Sequence, residues 1–132
     1  HTKSVSFHNN AGNTMVASSK LEIRQVILNF LTNAIKYSLG PNPIIMTLSA
    51  VDKETIKFEI SNTGKQLSDK EISDIFKEGY QLKSHKKIAG QGLGLAIVKR
   101  KLASLGHEMG VSSDDLGVTR FWFKVQMYKP LA

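Results

Sequence analysis

Residues 29–38 read NFLTNAIKYS, and residues 90–100 read GQGLGLAIVKR. Around the first stretch the apolar residues Val26, Ile27, Phe30, Leu31, Ala34 and Ile35 recur at three- and four-residue spacing, which predicts a helix over Leu21 to Ser38. Gly40-Pro41 is expected to close it. Within that helix Asn29, Asn33 and Lys36 fall four and three residues apart, so at 3.6 residues per turn they share one narrow polar stripe, with Tyr37 at its edge. Two carboxamide oxygens one turn apart can face a hard cation such as Mg²⁺, which keeps several waters and takes further oxygens from phosphates. A lysine farther along offers those phosphates a point charge. Solvated positions on an amphipathic helix are the alternative reading of the same stripe.

The second stretch follows a polar, basic, glycine-containing segment from Gly79 to Gly92 that reads as a long mobile loop. A helix should run from about Leu93 to Leu105 and end where Gly106 can take the left-handed conformation. Gly90, Gly92 and Gly94 remove side chains from its N-terminus, leaving amide N–H groups and the positive end of the helix dipole for phosphate oxygens. Glycines at every second position, with no strand leading in, do not make a dinucleotide fingerprint.

Between these stretches, Ile44 to Val51 is strand-like, and Ile56, Phe58 and Ile60 alternate with Lys57, Glu59 and Ser61 as in a half-buried hairpin. Asn62 and Gly64 stand where that strand opens into a turn; the glycine would let the backbone approach a flat ligand, although a plain turn explains the pair equally well. Ser68 with Glu71 forms a capping box for a short helix carrying Ile72, Ile75 and Phe76 inward. Strands are further expected at Val5 to His8, Thr14 to Ala17, Met109 to Ser112 and Val118 to Met127, the last placing Thr119, Phe121, Phe123, Val125 and Met127 on one face. The fold class is α+β: a two-layer sandwich in which a mixed sheet is covered on one face by about three helices.

Composition bounds the rest. The chain has 132 residues, 41% hydrophobic and 22% charged, as one soluble domain would, and residues 1–132 are read as a single domain. It contains no cysteine, which excludes a disulfide framework and thiolate metal sites. No apolar run reaches the roughly 18 residues of a spanning helix, so no membrane contact is expected of this segment. A net charge of +7 favours anionic partners. No helix-turn-helix, zinc or RNP-type pattern accompanies the charge, so nucleic acid is not the expected one.

Taken in order, the Asn-x-x-x-Asn-x-x-Lys helix, the Asn-x-Gly strand end, the short helix ending in Phe76, the basic loop, the alternating glycines and the closing Gly117-Val118-Thr119 strand resemble the catalytic domain of sensor histidine kinases, in the gyrase, Hsp90, histidine kinase and MutL superfamily. The resemblance runs from about Val16 to Val125. It implies ATP and Mg²⁺ as ligands and transfer of the γ-phosphoryl group to a histidine on a separate phosphotransfer and dimerisation domain. A response regulator would act downstream, the setting would be cytoplasmic, and the isolated segment would be a monomer unable to phosphorylate itself.

Position by position, the resemblance makes Asn33 the Mg²⁺ ligand and places Asn29 beside the triphosphate. Lys36 becomes a phosphate contact and Tyr37 a flank of the nucleotide. It puts Asn62 at the adenine-reading position, Gly64 beneath the ring and the hydroxyl of Thr119 near the adenine. Lys83, Lys86 and Lys87 become lysines of the ATP lid, while Gly90, Gly92, Leu93, Gly94 and Leu95 form the segment that hinges the lid and meets the phosphates. Asn29 and Lys36 are the catalytic candidates.

Two positions depart from the family pattern. Asn62 stands where Asp is common, and Gln66 where a second glycine is expected. A degenerate, non-catalytic nucleotide-binding module that docks on a kinase or response regulator is therefore the alternative. A hydrolytic ATPase resembling gyrase or Hsp90 would carry Glu at position 29 as general base, a role Asn29 cannot fill. None of His1, His8, His85 and His107 sits in the helical setting of a phosphoacceptor, so the acceptor is expected N-terminal to this segment.

Overall fold

The structure, a computed structural model, describes residues 4–12, 16, 18–77 and 94–127. Its elements are β1 (Val5–Asn9), α1 (Lys20–Tyr37), β2 (Ile44–Ala50), β3 (Thr55–Thr63), α2 (Asp69–Asp74), α3 (Gly94–Ser104), β4 (Met109–Ser113) and β5 (Val118–Gln126). The strands form one sheet in the order β1-β2-β3-β5-β4. Only β1 and β2 pair in parallel, joined by the crossover through α1; the other neighbours are antiparallel.

Local chemistry sets the helix starts. Ser19 caps α1 by accepting the amide of Glu22 at 3.3 Å. At α2 the capping box is complete: Ser68 Oγ accepts the Glu71 amide at 3.1 Å, and Glu71 Oε1 accepts the Ser68 amide at 3.0 Å. In β3 every second residue, Ile56, Phe58, Ile60 and Asn62, is buried beneath the helices, and β5 answers with Thr119, Phe121, Phe123 and Val125. Val26, Phe30 and Ala34 of α1 lie four residues apart and fully buried. Phe30 reaches Phe121 and Phe123, with ring centroids at 5.7 and 6.0 Å, and Phe58 stacks on Phe123 at 5.4 Å. Leu95, Val98 and Leu102 of α3 complete the same core.

The expected two-layer α+β arrangement is the one found, with small differences. α1 ends at Tyr37, one residue short of the expected Ser38, and is closed before Gly40-Pro41, because Ser38 turns extended and bridges Gly64 while the Leu39 amide donates to Thr63 O at 2.8 Å. Backbone bonds to the end of β3 replace another helical turn. Met127 lies beyond β5 and bridges Val16, the one described residue of the strand expected at Thr14 to Ala17 apart from its flanks. His107 precedes β4 by two residues, in the turn after α3, where Gly106 has φ +78°. The expected loop from Gly79 to Gly92 lies outside the described residues.

Candidate functional site

Three chain segments converge above the α1 end of β3. Gly64, just past β3, donates its amide to Gly117 O at 2.8 Å. A Cβ on Gly64 would stand 2.5 Å from the carbonyl oxygen of Tyr37, and a Cβ on Gly117, whose φ is +79°, would collide with the carbonyl of Gly64. The space a side chain would take at Gly64 is thus used by the protein's own backbone, welding the end of α1 to the turns at β3 and β5.

Two residues from that junction along each strand, Asn62 and Thr119 are register partners across β3 and β5. Both point inward and are 3% and 4% exposed. Asn62 Oδ1 is buried with no hydrogen-bond partner among the described residues. Thr119 Oγ1 lies 2.9 Å from Ser113 Oγ, and that serine accepts the amide of Leu67 at 2.9 Å. Ser113 is a residue that sequence reasoning did not single out; its inward register at the end of β4, opposite Thr119, was the available signal.

On α1, Asn29 Nδ2 donates to Gln25 O and Asn33 Nδ2 to Asn29 O, both at 2.9 Å. With the amide nitrogens tied to their own helix, the two carboxamide oxygens are left to other partners. Asn33 is 3% exposed, so the stripe is not a merely solvated one. The first residue of α3 lies over it: a Cβ on Gly94 would sit 3.2 Å from Asn29 Oδ1 and 3.9 Å from Asn33 Nδ2. Glycine there lets the helix N-terminus close on the asparagines.

Lys36 Nζ is buried with no hydrogen-bond partner among the described residues, 5.0 Å from the centre of the Tyr37 ring. Burial pushes its pKa below that of an ordinary lysine. An ammonium beside an aromatic ring, with no hydrogen-bond partner among the described residues, suits an anion.

The remaining site candidates divide cleanly. Lys83, Lys86, Lys87, Gly90, Gly92 and Leu93 lie outside the described residues. The side chain of Leu95 is packed in the core, so any ligand contact it makes comes through its backbone. Phe76 packs against the core, with Lys99 Nζ 5.2 Å from its ring centre. Gln66, the departure from the glycine pattern, is exposed. Among the described residues no group of three His, Cys, Asp or Glu is placed to hold a metal, so a cation here would depend on neutral oxygens such as that of Asn33. His107 is held by Ser18 at 2.7 Å between Oγ and Nε2, and its pKa is lowered by burial.

Among the described residues a mixed sheet lies under three helices, with an asparagine stripe, a lysine whose Nζ is buried and a glycine-welded strand end on its inner side. The chain belongs to the family described as histidine kinase-, DNA gyrase B-, and HSP90-like ATPases, whose model matches residues 18–129. Within it, the chain is similar to sensor protein VanSC of Enterococcus gallinarum, 30% identical over 120 residues that cover 89% of this chain and 32% of the relative. It is likewise 30% identical to the adaptive-response sensory kinase SasA of Nostoc sp. over 108 residues, 80% of this chain and 26% of that one. The chain therefore spans about a third or less of the curated relatives named here. Among solved structures, full-length ShkA in complex with AMPPNP superposes with a TM-score of 0.81 at 27% identity, covering 98% of this chain and 26% of that one. The mycobacterial sensor histidine kinase MprB shares the fold at a TM-score of 0.77 and 21% identity, over 96% of this chain and 84% of that one.

Proposed function

We propose that residues 1–132 form one domain that binds ATP with Mg²⁺ and serves as the catalytic domain of a two-component sensor histidine kinase. The observation that carries this reading is a pair of buried polar atoms without hydrogen-bond partners among the described residues, Asn62 Oδ1 and Lys36 Nζ. Native folds rarely leave such groups unsatisfied, and the two match opposite ends of one ligand: an acceptor suits the amino group of adenine, and an ammonium suits a phosphate. Asn33 would hold the metal through its free oxygen, with Asn29 beside the triphosphate and Tyr37 along the nucleotide's flank. Gly94 leaves the α3 N-terminus open to phosphate oxygens. Lys83, Lys86, Lys87, Gly90, Gly92 and Leu93 are assigned to the lid and its hinge by resemblance alone.

Bound ATP supplies the γ-phosphoryl group, and Mg²⁺ supplies charge that offsets its oxygens. The chain's own contribution is positioning and charge: Lys36 neutralises, Asn29 and Asn33 orient, and the buried sheet end excludes water from the base. Asn29 has no proton to take or give near neutral pH, which suits transfer to a histidine better than activation of water. That histidine would belong to a phosphotransfer and dimerisation domain of the same parent protein, with a response regulator as the next acceptor. A cytoplasmic setting is proposed by resemblance; among the described residues no helix is long and apolar enough to cross a membrane.

Calorimetry with AMPPNP, with and without Mg²⁺, tests the reading. Saturable binding that tightens with Mg²⁺ is expected. Absence of binding at millimolar nucleotide would overturn it.

A further inference from the structure

Away from the nucleotide site, the outer edge of β1 forms an interaction surface, and we propose that it pairs with β1 of a second copy of this chain, antiparallel and centred on Phe7. β1 closes one side of the sheet, and no described residue pairs with its outer side. Two backbone bonds fix which of its groups face outward. Ile44 donates its amide to Ser4 O at 2.9 Å, and the Asn10 amide donates to Leu48 O at 2.7 Å. In a parallel ladder with Val5 opposite Ile44 and Asn9 opposite Leu48, the even-numbered residues from Ser4 to Asn10 therefore bond to β2. The backbone amides and carbonyls of Val5, Phe7 and Asn9 point away from the sheet. The same residues expose apolar surface, with Phe7 57% and Val5 43% exposed.

The segment Val5–Asn9, VSFHN, contains no Lys, Arg, Asp, Glu or Pro, so it lacks the residues that usually guard an edge strand. β4, the opposite edge, differs: Met109 and Val111 pack against the core, and its exposed residue is Ser112. Open amides and carbonyls recognise an extended strand, and a second β1 matches this one group for group. With a twofold axis at Phe7, that residue faces its own equivalent and Val5 faces the Asn9 of the other copy. Each outward amide then meets an outward carbonyl, and the two exposed Phe7 rings lie side by side on one face of the joined sheet. Charge favours the same place. Each copy carries a net charge of +7, so two copies repel, and they repel least at a stretch that brings no formal charge. The contact closes on itself and leaves no free β1 edge for a third copy. A five-residue edge is small beside the roughly 1,200–2,000 Å² of a stable interface, so the dimer is weak and the monomer implied by the family resemblance prevails at low concentration.

The test is sedimentation equilibrium of the chain from about 10 µM to about 1 mM, the range in which a weak dimer forms. The wild type should pass from monomer to dimer, and added salt should favour the dimer by screening the like charges. Phe7→Lys should raise the dimer Kd about tenfold or more, whereas Ser112→Lys, which adds the same charge on the opposite edge, should leave it near the wild-type value. The chain has no cysteine, so single cysteines can report the register. In the proposed pairing the two position-7 Cα atoms stand about 5.5 Å apart, within disulfide range, while the two position-5 Cα atoms are separated by about 13 Å along the strands. Under mild oxidation Phe7→Cys should therefore crosslink into a dimer and Val5→Cys should not. Circular dichroism follows folding, which substitutions at these exposed positions should leave intact. A wild type that stays monomeric up to about 1 mM overturns the inference. A loss in Ser112→Lys equal to that in Phe7→Lys does so too, as does crosslinking no greater at position 7 than at position 5. None of these outcomes touches the nucleotide reading, because β1 lies two strands from β3.

Discussion

Gly64 and Gly117 are fastened back to back, the amide of one donating to the carbonyl of the other at 2.8 Å, with no room for a Cβ on Gly117 against the Gly64 carbonyl. Gly117 also has φ +79°, a conformation costing an L-residue about 1–2 kcal/mol. Gly106 has nearly the same φ, +78°, but nothing within 4 Å of its would-be Cβ. Gly106→Ala should thus cost about 1 kcal/mol and Gly117→Ala at least about 2, since overpacking adds another 1 or more. Urea denaturation of both variants checks the gap. Equal losses would mean that the junction yields freely.

Lys36→Met should stabilise the ligand-free protein while weakening nucleotide binding. The partly desolvated ammonium is costly without an anion, and solvent offsets part of that cost, so the gain should be about 1 kcal/mol at most. A charge-assisted contact to phosphate is worth about 1.5–3 kcal/mol, so affinity should fall roughly tenfold or more. The sign with pH follows from the lowered pKa. Below the depressed folded value the lysine is charged in both states and the cost is fully present. As pH climbs toward the unfolded value, about 10.4, the folded protein sheds its proton first and the cost fades. The stability gap between variant and wild type should narrow with rising alkaline pH; a gap independent of pH would contradict a desolvated ammonium.

Asn33→Ala should abolish the Mg²⁺-dependent part of nucleotide binding and leave the fold in place. Its Nδ2 satisfies only a helix carbonyl that already serves the helix ladder, and alanine is the better helix former. Calorimetry with and without Mg²⁺, beside circular dichroism, reads both parts. Mg²⁺ dependence equal to that of the wild type would remove Asn33 from the metal site.

Asn62→Asp should raise the ATP/GTP selectivity ratio, because a carboxylate only accepts hydrogen bonds and cannot flip to suit guanine. The charge-assisted contact would add about 1 kcal/mol for ATP, roughly fivefold in Kd. At 3% exposure, desolvating the new carboxylate offsets part of that gain, so the ratio is the cleaner readout. Competition binding for both proteins suffices, and an unchanged ratio would show that position 62 does not read the base.

Asp114 orders the β4–β5 turn by accepting the amides of Val118 and Leu116, each at 3.0 Å, and Arg120 at 3.1 Å. The Val118 amide first, then Arg120, lower its pKa. Its stabilisation is therefore present above the unfolded carboxyl value, about 3.9, and is lost as pH falls through the depressed folded value. Asp114→Asn should be less stable than the wild type at pH 7, and the difference should shrink in acid below about pH 4. Unfolding curves across that range decide it; a constant difference would mean the charge contributes nothing.

What the sequence determined by itself was whatever depends on neighbours along the chain. Ser19 and Ser68 cap the amides three residues on, Glu71 reaches back to the amide of Ser68, and alternation in Thr55–Thr63 and Val118–Gln126 marks the buried face, so helices, strands and inward residues were legible. Spacing also placed Asn29, Asn33 and Lys36 on one stripe, and motif order pointed to the family. Tertiary structure decided the rest. The sequence reading ran α1 to Ser38 and left its closure to Gly40-Pro41, but pairing of residues 38 and 39 with 64 and 63 closes it after Tyr37. It placed Gly64 at a strand end, but that a Cβ there would meet the Tyr37 carbonyl appears only in the fold. It passed over Ser113, whose contacts come from Thr119 across a strand pair and Leu67 from a distant turn. Such contacts join residues far apart along the chain, 53 positions in the case of Gly64 and Gly117, and come into being only when the sheet closes in the order β1-β2-β3-β5-β4. No local propensity encodes them, because each depends on where a remote backbone comes to rest.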